Sequence, residues 1–176
     1  LDKKGAMKPT WMGMPAGGNA QALAALKQAF EECGPPVRVI RSMRDFHFMH
    51  VALVSPIANA LYKCHGSNYE LAKNPAALRE MFLAMREGFR ALRRKGIKMV
   101  PGSLRLYDCL PLWVVVPLAA RLFNTPHFET VAARHARNAR DEMAWLYREL
   151  LEFCEGSGVG MTVSTELAKH KEISER

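Results

Sequence analysis

The sequence lacks an apolar run long enough to cross a bilayer, paired cysteines, and a glycine loop of the kind that cradles a dinucleotide. Its longest apolar stretch, Leu110–Ala120, is broken by Pro111 and Pro117 and stops at Arg121, well short of the roughly 20 apolar residues a spanning helix needs. Leu1–Thr10 is polar, with no hydrophobic segment of the secretory kind. The reading is therefore a soluble, cytoplasmic protein with no membrane partner. Cys33, Cys64, Cys109 and Cys154 form no C-x-x-C pair and no cluster, so they read as buried free thiols of a reducing compartment. Gly13, Gly17 and Gly18 match neither the spacing nor the context of G-x-G-x-x-G opening a βαβ unit. Acidic residues are in deficit as well: 25 Lys and Arg face 17 Asp and Glu, a formal net charge of +8. That balance favours anionic partners such as phosphates, carboxylates or nucleotides. No recognised nucleic-acid motif accompanies the charge, and no nucleic acid is expected. The chain does not begin with methionine, from which a further N-terminal part is expected.

What is present is enough apolar material for a core, 49% of 176 residues. The rest is organised around Arg44–Tyr62, RDFHFMHVALVSPIANALY, a long apolar helix carrying His47, His50, Ser55 and Asn59. A helix apolar nearly all round is buried, so polar residues in it are either satisfied core groups or the lining of a site. Pro56 removes a backbone donor in mid-helix and is expected to bend it near Ala52, turning Ser55 and Asn59 toward a shared space. The plainer alternative is that both side chains satisfy the bent backbone.

Upstream, Trp11–Met14 reads as a short strand, Gly17-Gly18-Asn19 as a turn, and Ala20–Cys33 as an amphipathic helix with Leu23, Leu26, Ala29 and Phe30 on its apolar face, ended by Gly34. Val37, Val39 and Ile40 alternate as a second strand. A strand-helix-strand unit of this size cannot bury both faces of its sheet. Residues 1–42 therefore read as the edge of an α/β domain whose remainder lies upstream.

Downstream, 63–69 reads as a polar connector. Asn74-Pro75 opens a helix, Pro75–Lys95, with Leu78, Met81, Phe82, Met85, Phe89 and Leu92 on one face and Arg79, Arg86, Arg90 and Arg93 largely on the other. Lys95-Gly96 closes it, and the basic face reads as solvated. Ser103–Cys109 is expected as a short helix and Pro111–Phe123 as a buried helix, a strand or an oligomer contact. A last long helix, Phe128–Glu155, would stack His135, Asn138 and Glu142 on one face, continued by Trp145 and Leu146. A carboxylate one turn from an amide and bounded by an indole is an anchor for a polar substrate group. Gly156–Gly160 ends that helix, and the charged tail Lys169–Arg176 is expected to fray.

The order of these elements resembles the C-terminal half of the ketopantoate reductase (2-dehydropantoate 2-reductase) family. The residues that carry the resemblance are the Gly34-Pro-Pro-Val turn, the Arg44–Tyr62 helix, Glu87, Gly96 and Pro101 in REGFRALRRKGIKMVP, and Asp141-Glu142 followed by Gly158-Val159. The resemblance implies a mainly α, 6-phosphogluconate-dehydrogenase-like helical domain for substrate binding and dimerisation (43–176), after a remnant edge of a nucleotide-binding Rossmann domain (1–42). It implies an NADP-dependent reductase acting on a 2-keto acid, working as a homodimer, with the NADP held mainly outside this chain and the fragment alone inactive. The family's substrate-binding glutamate falls on Glu142 and its catalytic lysine on His47. A family asparagine becomes Val51, another becomes Ser55, Pro56 is retained, and a substrate-contacting serine falls near Thr130. With Asn59 and Asn138 these make the candidate site: His47 and Glu142 for catalysis, and Ser55, Asn59, Thr130 and Asn138 for substrate. Lysine chemistry there polarises and protonates a keto oxygen, a task that needs a positioned cation or acid.

Two other readings compete. One is a helical binding or oligomerisation module that kept the fold and lost the chemistry, favoured by His47 and Val51. The other is a metal site from His47, His50 and Cys64 or His65, disfavoured because helix-paired histidines without a carboxylate partner are usually structural.

Overall fold

A computed structural model describes residues 9–14 and 18–171. It is mainly helical with one small parallel sheet, and its chain divides into two compact units, Leu1–His47 and Phe48–Arg176.

In the first unit, β1 (Thr10–Met12), α1 (Ala20–Glu32) and β2 (Val37–Val39) follow the expected strand-helix-strand order. The strands pair in parallel with Thr10 opposite Val37 and Met12 opposite Val39. Asn19 caps α1, its side chain accepting from Gln21 N and Ala22 N, and Gly34 turns the chain at φ 108°. Trp11 stacks on Phe46 with ring centroids 5.6 Å apart. None of α1 is buried: Leu26 and Phe30 are 49% and 39% exposed, so its apolar face has no cover among the described residues. Gly17 and Leu1–Lys8, on which the turn and the leading polar segment were expected, lie outside the described residues, as does 172–176 of the charged tail.

The second unit is built on α2 (Met43–Lys63), which begins in the first, and α4 (Pro75–Arg94). The helix α2 runs through Pro56. Where α2 crosses α4 the backbones approach closely, since a Cβ placed on Gly88 would lie 3.3 Å from Ala52 Cβ; a larger residue at either position would push the helices apart. Lys63 pairs with Glu80 at 2.5 Å. All six apolar positions read on α4 are buried. Asn74 caps its start, accepting from Ala77 N, and Gly96 at φ 83° closes it while Ile97 N donates to Leu92 O. Its basic face is only partly solvated. Arg86 donates to Tyr107 O and Leu110 O, and Arg93 pairs with Asp108 at 2.9 Å.

The polar connector contains a helix the sequence did not suggest, α3 (Asn68–Ala72), capped by Ser67 and tied by Asn68 Nδ2 to Phe123 O at 2.7 Å. Then come α5 (Arg105–Cys109) and α6 (Leu112–Phe123). Helix α6 buries Val115, Ala119 and Phe123 and exposes Trp113, Leu118 and Leu122.

The single helix expected over Phe128–Glu155 is instead four pieces: α7 (Pro126–Phe128), a π-helical turn Glu129–Ala133, α8 (Arg134–Asn138) and α9 (Arg140–Cys154), parted at Ala139 (φ −120°, ψ 39°). A last helix, α10 (Thr162–Ala168), also went unforeseen. Among the described residues no single helix is long and apolar enough to cross a membrane. The cysteine reading needs correction: Cys64 and Cys154 are buried, but Cys33 and Cys109 are exposed, because α1 lacks cover and Cys109 ends a five-residue surface helix.

Candidate functional site

Helix α2 presents Ser55, Asn59 and Tyr62 at spacings of four and three, along one face. Ser55 is 1% exposed and Asn59 2%, yet among the described residues neither Ser55 Oγ nor Asn59 Nδ2 has a hydrogen-bond partner. Buried polar groups are almost always paired, and these two lie one turn apart on α2, with Ser55 next to Pro56. Ser55 Oγ and Asn59 Nδ2 thus make no bond to a backbone group among the described residues.

Tyr62, one turn further, is satisfied. Its hydroxyl donates to Ala136 O at 2.8 Å, and Arg140 lies over its ring, 5.9 Å from the centroid. Burial pushes the phenol up to about 12; Arg140 pulls it down and Asp141 raises it. Arg140 Nε is itself buried, without a hydrogen-bond partner among the described residues.

The break at Ala139 decides what happens to Asn138 and Glu142. With α8 ending at Asn138 and α9 starting at Arg140, His135, Asn138 and Glu142 do not share one continuous helical face. Arg137, Asn138, Ala139, Arg140, Asp141 and Glu142 instead line a surface concavity of about 640 Å³. Asn138 and Glu142 are exposed there, and Trp145 is 52% exposed. The concavity carries two arginines beside two carboxylates, and Arg137 is engaged elsewhere, donating to Gly66 O at 2.8 Å and pairing with Glu129 at 3.8 Å.

Thr130 lies on the π-helical turn, exposed, its hydroxyl donating to Pro126 O at 3.1 Å. His47, on the first unit, is exposed. Among the described residues no group of three or more His, Cys, Asp or Glu is placed to hold a metal ion. The structure thus keeps Ser55 and Asn59 together and buried, puts Asn138 and Glu142 together at the surface, and leaves Thr130 committed to its own turn. Sequence reasoning missed Arg137 and Arg140. Their signal was the R-x-x-R spacing in ARNAR, unremarkable without the break at Ala139.

The residues at the start of α1 do not fit a dinucleotide. Asn19 Oδ1 accepts from Gln21 N at 2.8 Å and Ala22 N at 3.4 Å, occupying the amides a diphosphate would need. A Cβ on Gly13 would lie 3.0 Å from Ile40 O, so that glycine serves packing within its own unit.

In comparisons with known proteins, no family model, no curated protein and no solved structure matches this chain.

Proposed function

We propose that this chain is the helical substrate-binding part of a 2-keto acid reductase resembling the ketopantoate reductases, with NADPH as hydride donor and a homodimer as the working form. The helical arrangement is read as 6-phosphogluconate-dehydrogenase-like. The observation that carries the reading is the buried pair Ser55 Oγ and Asn59 Nδ2, which have no hydrogen-bond partner among the described residues; the resemblance aligns Ser55 with a family asparagine. A hydroxyl and an amide N–H are donors, and the carboxylate and keto oxygens of a 2-keto acid are acceptors. The net charge of +8 favours approach of such an anion. The resemblance puts NADP mainly outside this chain, and the part proposed for this chain is to bind and orient the acid.

The test is NADPH oxidation by the protein as its own cells make it, against a panel of 2-keto acids, with its intact mass measured alongside. His47→Ala and Glu142→Ala are the variants. The reading expects turnover with at least one acid, reduced about 100-fold or more by His47→Ala. A catalytically silent protein contradicts it. That outcome favours a helical binding or oligomerisation module, a reading supported by the exposure of Glu142 and the valine at Val51.

A further inference from the structure

We propose that the concavity between α4, the glycine-bearing loop before α10 and Val163 of α10 is a binding site for the phosphate group of a small phosphate monoester. The concavity measures about 390 Å³, within the roughly 300–1,000 Å³ range of ligand pockets. Arg90 and Arg94 of α4 line it together with Glu87, Gly158, Val159 and Gly160. None of the residues of the proposed acid site takes part, so the inference stands apart from that reading.

Their spacing gives the two arginines one direction, since residues four apart lie on the same helical face. Both are exposed. Their neighbours on α4 are engaged, Arg86 by the carbonyls of Tyr107 and Leu110 and Arg93 by Asp108. Arg90 and Arg94 have no hydrogen bond or ion pair among the described residues. The carboxylate in this lining is no partner for them: Glu87 accepts from the backbone N–H groups of Val163 and Ser164.

The facing loop carries no side chain at Gly158 or Gly160. A Cβ on Gly158, at φ 74°, would meet nothing within 4 Å, which leaves room for a group to approach the backbone. Val159 N donates to Ser157 Oγ at 3.3 Å, while Gly158 N and Gly160 N have no acceptor among the described residues. Lys95 adds positive charge at the start of this loop, its Nζ 4.0 Å from where a Cβ on Gly156 would lie. Two guanidinium forks, with unbonded N–H groups on the loop opposite, offer more donors from more directions than the two coplanar oxygens of a carboxylate accept. A phosphate monoester brings three terminal oxygens and close to two negative charges at neutral pH, and the arginine fork matches it. A concavity of this volume holds that group on a short carbon frame, so the ligand is assigned as a small molecule.

The experiment is a calorimetric titration of the full protein, at fixed low ionic strength, with glycerol 3-phosphate and with malonate, which carries a similar charge on carboxylates. The variants are Arg90→Gln and Arg94→Gln, at exposed positions where the fold is not at stake, and Arg79→Gln, at an exposed arginine of α4 outside the concavity. Saturable binding of glycerol 3-phosphate is expected, about tenfold tighter than that of malonate. It should weaken about tenfold or more in Arg90→Gln and in Arg94→Gln and stay unchanged in Arg79→Gln. No saturable binding by the wild type would overturn the proposal and return both arginines to a solvated face. So would malonate binding as tightly, unchanged affinity in Arg90→Gln and Arg94→Gln, or an equal loss in Arg79→Gln, which would reduce the effect to net charge. Tighter binding of a glycine-flanked phosphoserine peptide than of glycerol 3-phosphate would overturn the assignment to a small molecule.

Discussion

The Glu87 carboxylate accepts a hydrogen bond from the backbone N–H of Ser164 at 2.8 Å and another from Val163 N at 3.1 Å. It thereby caps α10 with a side chain of α4. Ser164 is fully buried and is held twice more: its hydroxyl donates to Ala84 O at 3.3 Å, and its carbonyl accepts from the Tyr147 hydroxyl at 3.1 Å. Helices α4, α9 and α10 meet at this residue. Glu87 belongs to the motif that carried the family resemblance, and here its task is structural.

Replacing Glu87 with alanine leaves two helix-start amides without an acceptor. Charge-assisted hydrogen bonds contribute about 1.5–3 kcal/mol each, so Glu87→Ala should lower unfolding free energy by roughly 3–6 kcal/mol in a urea titration. Glu87→Gln keeps an acceptor oxygen and should lose about half of that. Equal losses in the two variants would put the effect in packing.

Ser55 and Asn59 should respond in the opposite direction. A buried polar group without a partner costs about 1–3 kcal/mol, and an apolar replacement of similar size removes that cost. The double variant Ser55→Ala, Asn59→Leu should therefore melt about 4 °C or more above the wild type, while losing 2-keto acid binding. Such a trade of stability for function is the mark of a site held against its own preference. A lower melting temperature would show that both groups are paired in solution.

Alkaline pH should weaken the second unit. Burial raises the Tyr62 phenol from 10.0 to about 12 and the Cys154 thiol from 9.0 to about 11, the latter drawn back in part by Lys95. Both groups hold their protons more tightly folded than unfolded. Their contribution to stability is complete below the unfolded values and is lost as pH rises through the folded ones. Unfolding free energy should fall between about pH 9 and pH 12, and Tyr62→Phe should flatten the upper part of that fall. A profile that is level across this range would contradict the burial of both groups.

Local signals carried the best-read elements. Asn74-Pro75 and Lys95-Gly96 bracket α4 through contacts within a single turn, and the strand-helix-strand order of the first unit rests on Asn19 and Gly34, which act locally too. What escaped the sequence depends on distant partners. Helix α3 is short and is anchored by Asn68 to Phe123 O, and α10 is capped from α4 by Glu87. The break at Ala139 contains neither glycine nor proline. Beside it, Ala136 O receives the Tyr62 hydroxyl and Arg137 donates to Gly66 O at 2.8 Å, so α8 is held to the end of α2 while α9 runs its own course. Of the candidate site, the burial of Ser55 and Asn59 was legible from their apolar surroundings. The exposure of Glu142 was not, since it follows from that break.

The most direct test of the proposed site follows the side-chain amide of Asn59 by 15N–1H correlation, its resonance assigned by loss in Asn59→Leu, while 2-keto acids are titrated into the protein. A saturable shift of that resonance, with no response to the corresponding simple alkanoates, is the result the account predicts. A resonance that stays fixed across the whole panel in folded protein would contradict it.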